Sequence, residues 1–314
     1  MFTYILKRVL ATIPVMGVVA LFVFLMLRLS PGDPASVIAG DYATSEDIVR
    51  IREQLGLNEP IFFQFTSWVG DLLRGDLGIS IFTNLPVTTL IAQRLEPTIL
   101  LTLTTIIFTI MVAVPLGTIA AWKSGSMIDR GVMLFSVAGF STPVFVLGYI
   151  LIYVLSLKLQ LLPVQGYKSP FTDGVGLFFS HIILPTLALS GIFIALIARM
   201  TRASVMEVLQ EDYVRTARAK GQSEMKVLLK HALRNAAVPI VTVIGLGIAL
   251  LIGGVVVTES VFNIPGLGRL VLDAVLKRDY PIIQGLILLF SFVYIMINLV
   301  IDLTYTFFDP RIRY

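Results

Sequence analysis

The chain has 314 residues, of which 56% are hydrophobic and 14% are charged. Soluble domains carry about 25% charged residues, so this composition argues against an ordinary soluble enzyme. The absence of cysteine excludes a disulfide framework, a thiolate metal site and a cysteine nucleophile, and the net charge of +4 identifies no class of partner by itself.

Six apolar runs along the chain are long enough to cross a membrane. A bilayer core about 30 Å thick needs roughly 20 apolar residues in a helix, and lipid requires that every backbone group be satisfied within the segment. The runs, each of 21 to 24 residues, are 9–29, 100–121, 132–155, 178–198, 236–257 and 282–303. We therefore predict an all-α membrane protein with six transmembrane helices in one domain over residues 1–314.

The first run has the start of a secretory signal, because Lys7 and Arg8 precede an apolar stretch. The stretch is longer than a signal peptide needs, and residues 30–34 make a poor cleavage site. We predict an uncleaved first span.

The basic residues predict the orientation of the spans. With both termini inside, the inner segments carry 14 Lys and Arg residues and the outer segments carry 9, four of them in the long outer loop 30–96. Long loops cross membranes largely regardless of charge, so the bias toward the inside is stronger than these totals indicate. We predict that both termini are cytoplasmic.

The outer loop 30–96 carries signals for two amphipathic helices. Thr44 and Asp47 have the spacing of a capping box, and a glycine can end each helix. The apolar positions and stops are Ile48, Ile51, Leu55 and Gly56 in the first, and Phe62, Phe65, Val69, Leu72 and Gly75 after Pro60 in the second. These helices are expected either on the membrane surface or as a cap on the bundle.

The inner loop 199–235 is helical by composition, with eight basic and four acidic residues. Connections between helices commonly take 2–8 residues, so 37 residues need a further explanation. One interpretation is a solvated loop attracted to anionic lipid. The other is an element that docks a protein.

Small residues form a stripe on the fifth run, at Gly245, Ala249 and Gly253. Such stripes let another helix approach closely. The stripe is consistent with packing within the chain and equally with a subunit seam or a pathway wall.

The sequence lacks the motifs of an enzyme, of an ATPase and of an ion-driven carrier. No Walker A motif, Gly-x-Ser-x-Gly or His-Glu-x-x-His occurs, and the midplanes of the runs lack the charged groups that ion-driven carriers use. His181 and His231 do not form a pair. We predict no catalytic, cofactor or metal site, and a transport protein of this kind would take its energy from a partner.

Several motifs, read in order, resemble one family. The following segments carry the resemblance: Pro31-Gly32-Asp33-Pro34, Leu55-Gly56-Leu57, Gly75-Asp76-Leu77-Gly78, Arg94-Leu95-Glu96-Pro97, Ser141-Thr142-Pro143, residues 211–221, Pro265-Gly266-Leu267-Gly268, Arg278-Asp279-Tyr280-Pro281 and Asp309-Pro310-Arg311. The chain resembles the inner-membrane permease subunits of ABC importers for dipeptides, oligopeptides, glutathione and nickel. Residues 211–221 are similar to the family's loop named for Glu-Ala-Ala, whose positions are held here by Arg215, Thr216 and Ala217, a variation that peptide-type permeases share.

The resemblance implies a type I ABC importer permease fold in a bacterial inner membrane. The inner loop would supply a coupling helix that sits in a groove of a cytoplasmic ATPase, with the residues Tyr213, Arg215, Thr216, Ala217, Arg218, Ala219, Lys220 and Gly221. Glu259, Phe262, Pro265 and Gly266 would form a turn-rich hairpin at an external gate or pathway. In this coupling helix the small residues Thr216, Ala217 and Ala219 would allow the ATPase to approach closely. The basic residues Arg215, Arg218 and Lys220 would offer it charge-assisted hydrogen bonds.

The same resemblance implies the partners and the cargo. The partners are a second, related permease in a heterodimer, two ATP-binding subunits, a periplasmic or lipid-anchored solute-binding protein and membrane lipids, with no nucleic acid. Short peptides are the expected cargo, with glutathione or nickel as the alternative. An ATP-independent secondary carrier and a membrane scaffold remain the alternatives from other functional classes.

Overall fold

The computed structural model describes residues 2–28, 34–39, 43–54 and 56–308. Within these ranges the chain is helical and has no β-strand, apart from an isolated antiparallel bridge between Ile79 and Pro86. The α-helices are α1 (Phe2–Arg28), α2 (Pro34–Ala39), α3 (Ser45–Gln54), α4 (Ile61–Leu73), α5 (Val87–Trp122), α6 (Met127–Ser141), α7 (Val144–Leu151), α8 (Val175–Val208), α9 (Asp212–Ala219), α10 (Glu224–Lys226), α11 (Ala237–Val261), α12 (Leu267–Lys277) and α13 (Tyr280–Phe308). Two π-helical segments, Ile152–Lys158 and Val227–Leu233, continue α7 and α10.

The chain divides into two compact units. The first comprises Met1–Glu96 and Gly266–Met296, and the second comprises Pro97–Pro265 and Ile297–Tyr314. Both units are therefore built from segments that are distant in sequence.

Five of the predicted runs lie in unbroken helices that are long and apolar enough to cross a membrane. These candidate spans are Arg8–Met26, Val87–Trp122, Val175–Val208, Ala237–Val261 and Tyr280–Asp302. Several helices extend beyond the predicted runs, because polar residues at their ends continue the helix outside the apolar stretch.

The third run, 132–155, is not one straight helix. It falls in α6 and α7, whose arms bend by 104° at the break. Thr142 has an extended backbone, and Pro143 is the N-cap of α7. Proline disfavours helical conformation in the residue before it and cannot donate to the preceding turn, so the helix stops at Ser141. The chain has six spans only if this bent pair crosses the membrane once.

The two amphipathic helices predicted in the outer loop are confirmed as α3 and α4. Thr44 and Asp47 form the predicted capping box, in which the Thr44 hydroxyl donates to the Asp47 carboxylate at 2.6 Å and the Asp47 N–H donates to the hydroxyl at 3.2 Å. This hydrogen bond from Thr44 lowers the pKa of Asp47. Gly56 and Gly75 follow the ends of the two helices with positive φ, and Leu55 lies outside the described residues.

Helix α4 packs on one turn of α1 in the first unit. The Phe24 ring lies 5.1 Å from the Phe65 ring and 5.6 Å from the Trp68 ring. The Arg28 guanidinium lies over Phe24 and donates from Nε to the Gln64 side chain at 2.8 Å. These contacts fix α4 at the end of the first candidate span.

Two helices of the first unit were not predicted, α2 and α12. Helix α11 ends at Val261 and α12 covers Leu267–Lys277, so the turn expected in the segment 258–281 is confined to residues 262–266, and Glu259 lies in α11 rather than in the turn. The first residues of α12 follow Gly266, which is the extended N-cap. Beyond its end, buried Asp279 accepts a hydrogen bond from the Ser80 hydroxyl at 2.6 Å, which joins the start of α13 to the loop before α5.

Helix α8 forms the core of the second unit. Of its most apolar stretch, 72% is buried, against 11% for α1. Its side chains pack with those of α6, α7 and α11. Close packing with α5 occurs at Gly117, where a Cβ atom would overlap the Ala198 carbonyl oxygen and lie 2.6 Å from Thr201 Cβ.

Candidate coupling helix and external gate

Helix α9 is a short helix inside the predicted inner loop, with a defined end at each side. Asp212 lies in its first turn, where a negative charge interacts favourably with the helix dipole. At the other end Gly221 has φ +75°, and its N–H donates to the Arg218 carbonyl at 2.9 Å. The Gln222 N–H donates to the Ala217 carbonyl at 3.2 Å, which completes a Schellman motif. The left-handed conformation predicted for Gly221 is confirmed.

One face of α9 is anchored to the chain itself. Val214 and Ala217 are buried and pack with Val208, Leu209 and Val227. Ala217 was expected among the small residues that allow a partner to approach, but in the structure its side chain is buried against the chain itself. The helix is therefore held in place by its own protein before any partner binds.

The opposite face of α9 is open. The exposed residues of the predicted coupling loop are Tyr213, Arg215, Thr216, Arg218, Ala219, Lys220 and Gly221. Thr216 and Ala219 are small, so this face has room for a closely fitting groove.

Charged residues on α9 are held by neighbours within the chain. Arg215 Nη1 lies 3.2 Å from Asp212 Oδ1, and Arg218 donates from Nε and Nη2 to the Glu224 carboxylate at 2.9 and 3.2 Å. Exposed ion pairs contribute about 0–1 kcal/mol, so a partner with suitable groups can replace them at little cost. The cations of α9 are therefore available to a partner.

Tyr213 is 43% exposed at the start of α9. Burial of the remainder of the residue raises the pKa of its hydroxyl, and a hydrogen bond with Asn235 acts in the opposite direction. The hydroxyl therefore stays protonated at neutral pH and can donate a hydrogen bond to a partner.

The segment after α9 returns to the core through a π-helical turn. Leu228 and Ala232 in this turn are buried against Val205, Ala236 and Ile240. π-helical turns are rare and are frequent at functional sites. Both ends of the α9 region are thus attached to the second unit by apolar contacts.

The four predicted gate residues lie at the end of α11 and the start of α12, and three of them are buried. Glu259 is fully buried and its carboxylate accepts a hydrogen bond from the Thr98 hydroxyl at 2.5 Å. Phe262 is 2% exposed, and its carbonyl accepts from the Gly166 N–H at 2.9 Å. Pro265 is exposed, whereas Gly266 is buried. In this conformation Glu259 and Phe262 are packed inside the second unit and do not present a surface.

The three residues of the predicted packing stripe have different surroundings. Gly245 is buried, and a Cβ atom there would overlap the Ile301 side chain. Ala249 is half-buried. Gly253 is exposed, and apart from its chain neighbours and the adjoining helix backbone no atom of the described residues lies within 4 Å of its Cβ position. The glycines of α11 that contact α8 are instead Gly247 and Gly254. The stripe is therefore not one packed face within the chain.

A charge pair that the sequence analysis missed joins α6 to α8. Arg202 donates from Nε to Asp129 Oδ1 and from Nη2 to Asp129 Oδ2, the second at 2.8 Å. The side chains are 20% and 6% exposed, respectively. The Ser126 hydroxyl accepts from the Asp129 N–H at 3.4 Å, so a capping box spacing was visible in the sequence. Nothing in the sequence, however, paired this aspartate with an arginine 73 residues away.

Comparison with known proteins extends over the whole chain. Residues 113–314 match the model of the family described as binding-protein-dependent transport system inner membrane component, and residues 1–102 match the model of its N-terminal region. A probable peptide ABC transporter permease protein, y4tP of Sinorhizobium fredii, is 57% identical over 311 residues, which are 99% of each chain. The glutathione transport system permease protein GsiC of Escherichia coli K12 is 46% identical over 314 residues, which are 100% of both chains.

The fold has a solved counterpart. A chain from the inward-facing structure of the MetNI methionine ABC transporter superposes with a TM-score of 0.59 at 17% identity, over 71% of this chain and 97% of that chain. At this identity the likeness concerns the fold alone. The helical spans, the match of both family models and the identity to the two permeases agree: the chain belongs to the binding-protein-dependent transport system inner membrane components and is a multi-pass permease subunit of an ABC importer, with the ATP hydrolysis in partner ATPases.

Proposed function

We propose that this chain forms the translocation pathway for short peptides together with a second, related permease. Two cytoplasmic ATPases would drive it through α9, and an external solute-binding protein would deliver the cargo. The observation that carries the coupling role is the two-sided geometry of α9. Val214 and Ala217 fasten one face to the chain, while the other face is open.

The geometry supports a mechanical role because the buried face of α9 packs directly on the end of α8 and on Val227. A force applied to its open face passes through the buried contacts with Val208 and Leu209 into the end of α8. Interiors are close-packed and transmit such displacements. ATP-driven closure of two ATPases would therefore shift α8, and with it the spans that pack on α8.

The proposal of a peptide cargo is supported by the relative at 57% identity, whose name specifies peptides. Glutathione is the second candidate, since GsiC is 46% identical over the full length. Glutathione is itself a small peptide, so the two candidates differ in size and charge rather than in chemical class.

The cargo test uses the solute-binding protein that works with this permease. A thermal-shift screen of that protein with dipeptides, longer peptides, glutathione and Ni²⁺ is expected to show stabilisation by short peptides, because a ligand that binds the native state raises its stability. Stabilisation by Ni²⁺ alone would contradict the peptide proposal.

The coupling test uses proteoliposomes. The complete complex is expected to import peptide only with ATP and the binding protein, whereas this chain alone is expected to import nothing. Peptide counterflow by the chain alone would favour an autonomous carrier and contradict the proposed role.

We further propose that both termini face the cytoplasm, which requires the bent pair α6–α7 to cross the membrane once. Because the chain has no cysteine, single cysteines give unambiguous labelling. A membrane-impermeant maleimide applied outside intact cells is expected to label Phe171→Cys, at a residue that is 79% exposed, but not Ser124→Cys or Met225→Cys.

Labelling of Phe171→Cys and Ser124→Cys from the same side would identify α6–α7 as a re-entrant loop and contradict this topology. Opening the cells before labelling provides the control, because Ser124 and Met225 are exposed and must then react.

A further inference from the structure

The ion pair of Asp129 and Arg202 joins α6, the first arm of the bent helices α6–α7, to the part of α8 that leads to α9. Asp129 is on the first turn of α6, and Arg202 is on α8, six residues before that helix ends at Val208. Six helical residues span about 9 Å. The pair is thus close to the point where α9 is fastened to the end of α8.

The Asp129 carboxylate is held from several directions. Besides the two bonds from Arg202, its Oδ2 accepts a hydrogen bond from the Gly125 N–H at 2.9 Å. Gly125 has φ +79°, in the turn between α5 and α6. A bidentate guanidinium–carboxylate pair has a fixed geometry, unlike a single flexible contact. The pair therefore sets the position of the first turn of α6 relative to α8.

The backbone around the ion pair is closely packed. Gly117 on α5 approaches the α8 backbone so closely that a Cβ atom at Gly117 would lie 3.1 Å from the backbone nitrogen of Arg202. Helices α5, α6 and α8 of the second unit therefore meet at Arg202. The ion pair adds a polar contact to the apolar contacts between these helices.

We infer that Asp129 and Arg202 are positioning residues for transport: their ion pair makes the start of α6 and the coupling region α8–α9 one mechanical body, so that movement of α9 reaches the bent pair α6–α7. This inference rests on the proposed function of α9. An ion pair that only stabilised the fold would not have to lie close to α9. Two measurements distinguish a role in stability from a role in transmitting the movement of α9.

The first measurement is the amount of peptide imported per ATP hydrolysed by the reconstituted complex. Asp129→Asn and Arg202→Gln are each expected to reduce this ratio by about tenfold, the order of coupling between linked sites, while ATP hydrolysis continues. Arg202→Lys keeps the charge but loses the bidentate geometry and is expected to be intermediate. The double variant is expected to be no worse than either single one, since it leaves no unpaired buried charge.

The matched control is Asp173→Asn, which removes a carboxylate from an ion pair with Lys168 at 3.2 Å in an exposed loop. Import per ATP is expected to remain at the wild-type value in this variant. An equal loss in Asp173→Asn and Asp129→Asn would overturn the inference.

The second measurement is a distance within this chain. Spin labels at Met127→Cys and Met225→Cys occupy exposed positions on α6 and α10, and α10 is followed by Val227, which packs on Val214 and Ala217 of α9. In the wild-type complex the distance is expected to be narrowly distributed and unchanged by nucleotide. In Asp129→Asn it is expected to broaden or to change with nucleotide.

A wild-type distance that changes with nucleotide would overturn the inference, as would an Asp129→Asn variant that keeps both the narrow distance and wild-type import per ATP. A lower Tm with both readouts unchanged would show a purely structural pair and overturn it too. If the wild-type complex hydrolyses ATP but imports no peptide, the proposed function fails, and the distance measurement still decides on the mechanical body.

Discussion

Replacing Ala219 with tryptophan is expected to reduce ATP-driven uptake by at least about tenfold, because interface cores tolerate added volume poorly. Ala219 lies on the open face of α9, opposite the buried Val214 and Ala217. An indole at this position projects away from the chain, so it prevents a close fit to an ATPase without disturbing the fold. Uptake in proteoliposomes is the measurement.

Met225→Trp provides the matched control for this variant. Met225 is 58% exposed and follows α9, outside the proposed docking face. Membrane levels are expected to be equal in both variants and uptake normal in the control. Normal uptake by Ala219→Trp would show that this face does not bind the ATPase.

The second large effect is expected at Gly117, where α5 and α8 have backbone contact. A Cβ atom there would overlap the Ala198 carbonyl oxygen, and backbone cannot move aside as the end of a flexible side chain can. Overpacking typically lowers the free energy of unfolding by about 1–3 kcal/mol. A leucine placed against backbone is expected to cost about 3 kcal/mol or more. Gly117→Leu is expected to lower the amount of protein in the membrane several-fold.

The control for Gly117→Leu is Gly131→Leu, the same change at a helical glycine of α6. In the part of the chain that the structure describes, no atom beyond its chain neighbours and the adjoining helix backbone lies within 4 Å of the Gly131 Cβ position. The membrane level of Gly131→Leu and its Tm in detergent are expected to remain near those of the wild type. Equal levels of the two variants would contradict the close packing of α5 on α8.

The helix ends that were predictable from sequence depend on hydrogen bonds between residues that are close together in the chain. The capping box of Thr44 and Asp47 and the stop at Gly221 involve groups within five residues, and each has a distinctive residue type. Two other helix ends were not predictable. Asn263 and Arg278 adopt left-handed conformations at φ 52° and 57°, where the residue type gives a weaker signal than glycine.

The site was predicted in part for the same reason. The coupling residues are consecutive, so the motif located them, but the division of α9 into an anchored and an open face required its packing partners. Whether Ala217 faces the chain or a partner depends on Leu209 and Val227, which the motif does not specify. The bend at Pro143 was also missed, because continuous hydrophobicity from 132 to 155 concealed a change of direction.

The break between α6 and α7 has a consequence for the surroundings of the protein in the bilayer. Ser141 and Pro143 are exposed at the corner, where the Ala138 carbonyl accepts hydrogen bonds from both the N–H and the hydroxyl of Thr142, at 3.1 and 2.9 Å. Non-helical backbone does not occur against hydrocarbon, where its peptide groups would lack partners. At membrane depth this corner must therefore be shielded from acyl chains, either by a neighbouring subunit or by a column of water.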